Sequence, residues 1–93
     1  MNQNLLQVPS VSYKNLLQEL AQKEGFPLPV YATTSVFSNH SAAFISTVEM
    51  QGTTFQGEPG NTKKQVEMNA AKVAFQHFED SKSLKYKNWY FHI

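Results

Sequence analysis

The chain has 93 residues, 41% hydrophobic and 16% charged, which is enough for one small domain and excludes a multidomain enzyme. It contains no cysteine, which excludes disulfides and cysteine nucleophiles and is typical of a reducing setting such as the nucleus or cytoplasm. The net charge of +1 does not by itself indicate a polyanion-binding protein, so the positions of the lysines matter more than their number.

Residues 1–11 are predicted to form a polar N-terminal tail, because Pro9 interrupts any helix there. The segment lacks the charged and then apolar order of a signal peptide. No apolar run approaches the ~20 residues of a membrane span, so we expect a soluble chain with no membrane partner.

A helix is predicted to begin after Ser12, whose hydroxyl can cap it, and to end at Gly25. Its apolar residues recur at spacings of three and four, as one buried helix face requires. They are Tyr13, Leu16, Leu17 and Leu20.

Three strands are predicted next, over residues 30–37, 43–50 and 53–56. The alternation of the second strand predicts a sheet covered on one side. One face contains Phe44, Ser46, Val48 and Met50, and the other contains Ile45, Thr47 and Glu49. Gln51 and Gly52 suit a tight hairpin turn into the third strand.

A second helix is predicted from Thr62 to about Glu79, because Thr62 and Gln65 have capping-box spacing. Its apolar face is predicted to contain Val66, Ala70, Val73, Ala74, and His77 or Phe78. The order α-β-β-β-α predicts an α+β domain over residues 12–80, with a three-stranded antiparallel sheet and both helices on one face.

Residues 81–93 are predicted to form a C-terminal extension, in which Trp89, Phe91 and Ile93 recur at strand period. Two interpretations stay open. The extension either adds a strand or binds a protein partner, or it folds back to complete the core of its own domain.

The candidate binding residues lie on three different elements. Lys63 and Lys64 stand at a helix start, where the helix dipole disfavours cations and a bound phosphate would reverse that penalty; the alternative is two solvated surface lysines. His40 is either a hydrogen-bond donor to a groove or a polar turn residue. Gln18 and Glu19 are either an ordinary helix surface or partners of a ribose 2′-hydroxyl.

Enzymatic patterns are weak, because no acid stands with Ser and His at a recognisable triad spacing and no glycine-rich nucleotide loop precedes a helix. Three histidines without clustered carboxylates make a poor set of metal ligands. We therefore expect a protein that is not an enzyme and has no metal or cofactor.

Three motifs occur in the order of a known family: YKNLLQELAQKEGFPLPVYAT, HSAAF and TKKQVEMNAAKVA. From Tyr13 to about Glu79 the chain resembles the double-stranded RNA-binding domain, in the variant of plant proteins that accompany Dicer-like nucleases in RNA silencing. The resemblance implies shape-dependent binding of duplex RNA across two minor grooves and the major groove between them.

The resemblance also implies three contact regions on one face of the domain. They are Gln18 and Glu19 for the first minor groove, Asn39 and His40 for the second, and Lys63 and Lys64 for the major-groove phosphates. Two features depart from the family pattern. Phe37–His40 replaces the usual Gly-Pro-x-His, and Glu67 replaces a third lysine, where a carboxylate would repel phosphate and lower the affinity.

The resemblance implies a non-catalytic accessory factor in small-RNA processing. As an alternative, it implies a protein-interaction domain that forms a homodimer or pairs with another double-stranded RNA-binding protein or a Dicer-like nuclease. Trp89, Phe91 and Ile93 are the residues predicted to serve that second role.

Overall fold

The computed structural model describes residues 12–38 and 41–91, so the predicted N-terminal tail lies outside the described residues. Its elements follow the predicted order: α1 (Tyr13–Glu24), β1 (Val30–Ser38), β2 (Ser41–Met50), β3 (Thr53–Gln56) and α2 (Lys63–Phe91). The strands form one antiparallel sheet in the order β1-β2-β3, which confirms the predicted fold class.

The two ends of α1 are closed by short-range hydrogen bonds, as the sequence predicts. The Asn15 amide donates to Ser12 Oγ at 3.2 Å. Gly25 has φ 76°, a left-handed conformation that glycine adopts without steric cost, and its amide donates to the Gln22 carbonyl at 3.3 Å. These bonds satisfy backbone groups that the helix itself leaves unpaired.

The β2–β3 hairpin turns through Gln51 and Gly52, with φ values of 55° and 76°. Two successive residues with positive φ give the turn whose twist matches the twist of antiparallel strands. The turn pairs Met50 with Thr53 and sets the register of the hairpin. Alternate β2 side chains are therefore buried under the helices, in agreement with the predicted alternation.

The hydrophobic core lies between the helices and one face of the sheet. Its buried members are Leu17, Leu20, Ala21, Val48, Met50, Phe55, Ala70, Ala71 and Ala74. The predicted face of α2 is wrong at one position, since Ala71 is fully buried whereas Val73 is 38% exposed. The three buried alanines span about 100° of the helix circumference. Val73 lies about 60° beyond Ala70, at the edge of that buried face.

The predicted end of α2 near Glu79 is wrong, because the helix continues through Phe91. The predicted strand is also wrong for Trp89 and Phe91, whose backbone is helical, while Ile93 lies outside the described residues. From Asn61 onward the sequence has no glycine or proline to end a helix. Alternation of a few apolar residues is too weak a signal to end an uninterrupted helix.

Candidate nucleic-acid interface

The start of α2 is fixed by a threonine cap. The Gln65 amide donates to Thr62 Oγ1 at 3.1 Å, as the capping-box spacing predicts. The Gln65 side-chain amide Nε2 donates to Asn69 Oδ1 at 2.8 Å, one helical turn further on. Lys63 and Lys64 are therefore the first two residues of the helix, and both are exposed.

The loop before α2 is bonded to the edge of β2. The Phe44 amide donates to the Gly60 carbonyl at 2.8 Å, and the Gly60 amide donates to the Phe44 carbonyl at 3.1 Å. Nearer the other end of β2, the Gly57 amide donates to the Ser46 carbonyl at 3.1 Å. These bonds hold the start of α2 beside the half of β2 that leads to the β1–β2 hairpin.

Both lysines present an uncompensated positive charge. Lys63 Nζ lies 6.0 Å from the centroid of the Phe44 ring, a contact that leaves the ammonium group accessible. Among the side chains that the structure describes, the ion pair joins Lys14 to Glu67, so neither Lys63 nor Lys64 has a carboxylate partner there. Two cations at the positive end of a helix, next to first-turn amides, are favourable only when an anion binds.

The second predicted contact region lies on α1. Gln18 and Glu19 are both exposed, so their side chains are accessible to a ligand. Beside Gln18 is an open cavity of about 170 Å³. Its lining residues are Lys14, Asn15, Gln18, Leu28, Pro29 and Tyr31. The side chains of Asn15 and Gln18 supply its amide groups, and Leu28 and Pro29 supply its apolar wall.

The third predicted region, Asn39 and His40, lies outside the described residues. The strand residues directly before and after it are paired, Ser38 with Ser41. The backbone therefore brings β1 and β2 together immediately beside His40, but the structure does not test the role predicted for its side chain.

Sequence reasoning missed a polar network that connects both helices to the sheet. Lys14 Nζ donates to Glu67 Oε1 at 2.5 Å. Thr33 Oγ1 lies 3.3 Å from Glu67 Oε2 and 3.0 Å from the oxygen of the fully buried Ser46. Because the Thr33 hydroxyl has one proton, it donates either to Glu67 Oε2 or to Ser46 Oγ at any one time. Lys14 and Glu67 are 53 residues apart, so no local pattern signals the pair.

Tyr31 lies against this network. Lys14 Nζ is 4.7 Å from the centroid of the Tyr31 ring. Within the described residues the buried Tyr31 hydroxyl has no hydrogen-bond partner. Burial, and then the negative charge of Glu67, raises the pKa of Tyr31 to about 12. The phenol is therefore neutral at physiological pH and contributes no charge to this face.

The helices, the sheet and the exposed lysines of this chain match a known protein family. A family model described as "Double-stranded RNA binding motif" matches residues 13–77, more than two thirds of the chain. The chain belongs to the double-stranded RNA-binding domain family. The match includes Gln18, Glu19 and the Lys63–Lys64 pair, and it ends near the last aromatic residues that pack on the core.

This double-stranded RNA-binding domain is similar to a rice protein, "Double-stranded RNA-binding protein 1" of Oryza sativa subsp. japonica. The two are 70% identical over 73 residues, which are 78% of this chain and 17% of the rice protein. The chain thus spans about a sixth of the length of that relative.

Solved structures give the same assignment for this double-stranded RNA-binding domain. It is 55% identical to the solution structure of the second such domain of DRB4, with a TM-score of 0.63 and coverage of 74% of this chain and 97% of that chain. A structure of Arabidopsis HYL1, described with its implications for miRNA processing, is 36% identical, with a TM-score of 0.67 and coverage of 74% and 99%.

Proposed function

We propose that this domain binds double-stranded RNA without sequence preference, as a non-catalytic accessory factor of small-RNA processing in the nucleus or cytoplasm. The observation that carries the proposal is the exposed and unpaired Lys63–Lys64 pair at the start of α2. The similarity to the rice protein and to HYL1 supports the RNA class and the processing role.

The chemistry of the face favours phosphate and sugar contacts over base reading. Lys63 and Lys64 provide point charges for phosphates, and Glu19 provides an acceptor for a ribose 2′-hydroxyl, a donor that DNA lacks. The described residues of this face include no arginine, because the chain has none, and so lack the commonest bidentate reader of guanine. Binding by shape therefore fits these residues better than binding by sequence.

The first test is a titration of this domain with duplex RNA, duplex DNA and single-stranded RNA of one length at fixed salt. We expect duplex RNA to bind most tightly, with similar affinity for two unrelated sequences, because the contacts are to the backbone. Equal affinity for duplex DNA would contradict the 2′-hydroxyl contact. Stronger binding of single strands would overturn the proposal.

The second test is the double variant Lys63→Ala with Lys64→Ala. We expect it to lose duplex-RNA affinity by on the order of tenfold to a hundredfold, because two charge-assisted contacts disappear. The matched control is Lys23→Ala with Lys72→Ala, which removes the same total charge. Lys72 lies nine residues after Lys63 and therefore on the opposite side of α2 from Lys63. Equal losses in both proteins would show a general charge effect instead of a site.

Partner binding is a second candidate role, and one observation favours it. The α2 backbone continues from the core-packed Phe78 to Phe91, so about three and a half helical turns extend past the last core contact of the described residues. We propose that this extension pairs the domain with a second double-stranded RNA-binding protein or a Dicer-like nuclease. Removal of residues 86–93 is expected to weaken that association, measured by light scattering, and to leave RNA affinity unchanged.

A further inference from the structure

The Lys14–Glu67 ion pair stands between two of the proposed contact regions. Lys14 precedes Gln18 by four residues on α1, and Glu67 follows Lys63 by four residues on α2. Residues four apart share a helix face and lie about one turn from each other. The pair therefore joins the two helices one turn away from a contact residue on each.

The Glu67 carboxylate has one ion-pair partner and one hydroxyl neighbour. Oε1 accepts from Lys14 Nζ, and Oε2 lies within hydrogen-bond distance of the Thr33 hydroxyl on β1. The Glu67 side chain is 26% exposed and the Lys14 side chain 39%. These contacts turn the carboxylate toward α1 and the sheet, so it does not extend from α2 as the third lysine of the family pattern would. The expected repulsion between Glu67 and phosphate is thus offset by the adjacent ammonium group.

The spacing of the two contact regions matters because A-form duplex RNA is stiff. A domain that recognises duplex shape binds well only if its minor-groove and phosphate contacts are held at one separation. The Thr33 and Ser46 hydroxyls extend the network from Glu67 into the sheet, where Ser46 donates to the Ala32 carbonyl at 3.2 Å. The Lys14–Glu67 pair therefore lies next to hydroxyl groups that are bonded into the sheet.

We infer that Glu67 is a positioning residue of the RNA-binding face, which fixes α1 with Gln18 relative to the Lys63–Lys64 end of α2 through its ion pair with Lys14. The inference rests on the proposed function. It gives Glu67 a favourable effect on RNA affinity, although its charge has the same sign as phosphate.

Substitution of Glu67 separates positioning from repulsion, because the two effects have opposite signs. If the carboxylate acted on phosphate, Glu67→Gln would bind RNA more tightly and Glu67→Lys more tightly still, with a salt slope steeper by about 0.9. If the carboxylate positions α1, both variants bind more weakly. We expect a loss of about three- to tenfold for each, in the range of couplings between contacting residues.

The decisive variant is the charge reversal Lys14→Glu with Glu67→Lys, which rebuilds the pair in the opposite direction. We expect it to recover affinity to within about twofold of the unchanged protein, with the same salt slope, whereas Lys14→Glu alone binds weakly. The matched control is Glu49→Gln, which removes one negative charge from the exposed side of β2, distant from both helices. It is expected to change affinity by less than about twofold.

All variants are titrated with one RNA duplex at several salt concentrations, and their thermal melts are recorded in parallel. Weaker binding by Glu67→Gln with recovery in the reversed pair supports the inference. Unchanged or tighter binding by Glu67→Gln, or no recovery in a reversed pair that melts normally, overturns it. If Glu67→Gln fails to fold, the reversed pair and Lys14→Gln decide by the same criteria. Failure of the unchanged protein to bind the duplex overturns the proposed function itself, which distinguishes the two failures.

Discussion

The two helices contribute to the binding face by different physical means. α1 presents an amide and a carboxylate, Gln18 and Glu19, in the middle of a short helix closed at both ends. α2 presents two ammonium groups, Lys63 and Lys64, at the end of a helix whose dipole disfavours them. The first helix is suited to short-range hydrogen bonds, and the second is suited to electrostatic attraction that reaches across solvent.

The difference shows that formal net charge describes this protein poorly. The chain carries +1 overall, but its charges are sorted by position. Glu67 neutralises Lys14 where α1 and α2 meet, while the lysines at the start of α2 stay unpaired among the described residues. A domain with a small net charge can therefore present a locally basic site, because an ion pair neutralises one lysine and leaves the two at the start of α2 charged.

The largest expected effect concerns how α2 is held on the sheet. A Cβ atom added at Gly57 would lie 2.3 Å from the Ala70 amide nitrogen, a backbone atom that cannot move without shifting the helix. We expect Gly57→Ala to lower the free energy of unfolding by more than about 3 kcal/mol, measured by urea denaturation.

The exposed neighbour Glu58 supplies the control for that experiment, since Glu58→Ala keeps its backbone bond to Asn69 and should change the free energy of unfolding by less than about 0.5 kcal/mol. A stable Gly57→Ala protein would show that α2 has room to move away from the sheet. The distance between the α1 and α2 contact regions would then be less fixed than the structure indicates.

An intermediate effect compares the helices directly through salt dependence. Lys63→Ala with Lys64→Ala should flatten the slope of log affinity against log salt by roughly 1.8, because two phosphate contacts release counterions. Gln18→Ala with Glu19→Ala should weaken duplex-RNA binding by about three- to tenfold through lost hydrogen bonds and leave that slope unchanged. Parallel slopes in all three proteins would remove the distinction between the helices.

The smallest expected effect concerns the two caps. Ser12→Ala and Thr62→Ala should each lower the free energy of unfolding by about 1 kcal/mol, because each leaves one first-turn amide without its side-chain acceptor. Glycine at either position should cost only a few tenths of a kcal/mol. Thermal melts measure the stability of each variant. In an RNA titration only Thr62→Ala should weaken binding, because Thr62 fixes the end of α2 that contains Lys63.

Much of the fold was predictable because its signals are local. The caps at Ser12 and Thr62 and the Gln51–Gly52 turn each depend on residues within a few positions of one another. Of the candidate site, Gln18, Glu19 and the lysine pair are exposed, which fits both RNA contacts and an ordinary helix surface, so their roles stay predictions. The roles of Asn39 and His40 stay predictions, as does partner binding by Trp89, Phe91 and Ile93.

The order of elements, their turns and the alternation of β2 follow from local sequence, since they depend on backbone preferences and side-chain period. The burial of Ala71 in place of Val73, the approach of Gly57 to Ala70 and the Lys14–Glu67 ion pair depend on tertiary packing. The physical reason is that these contacts join residues distant in the chain. Their geometry depends on how closely whole elements pack, which no local pattern specifies.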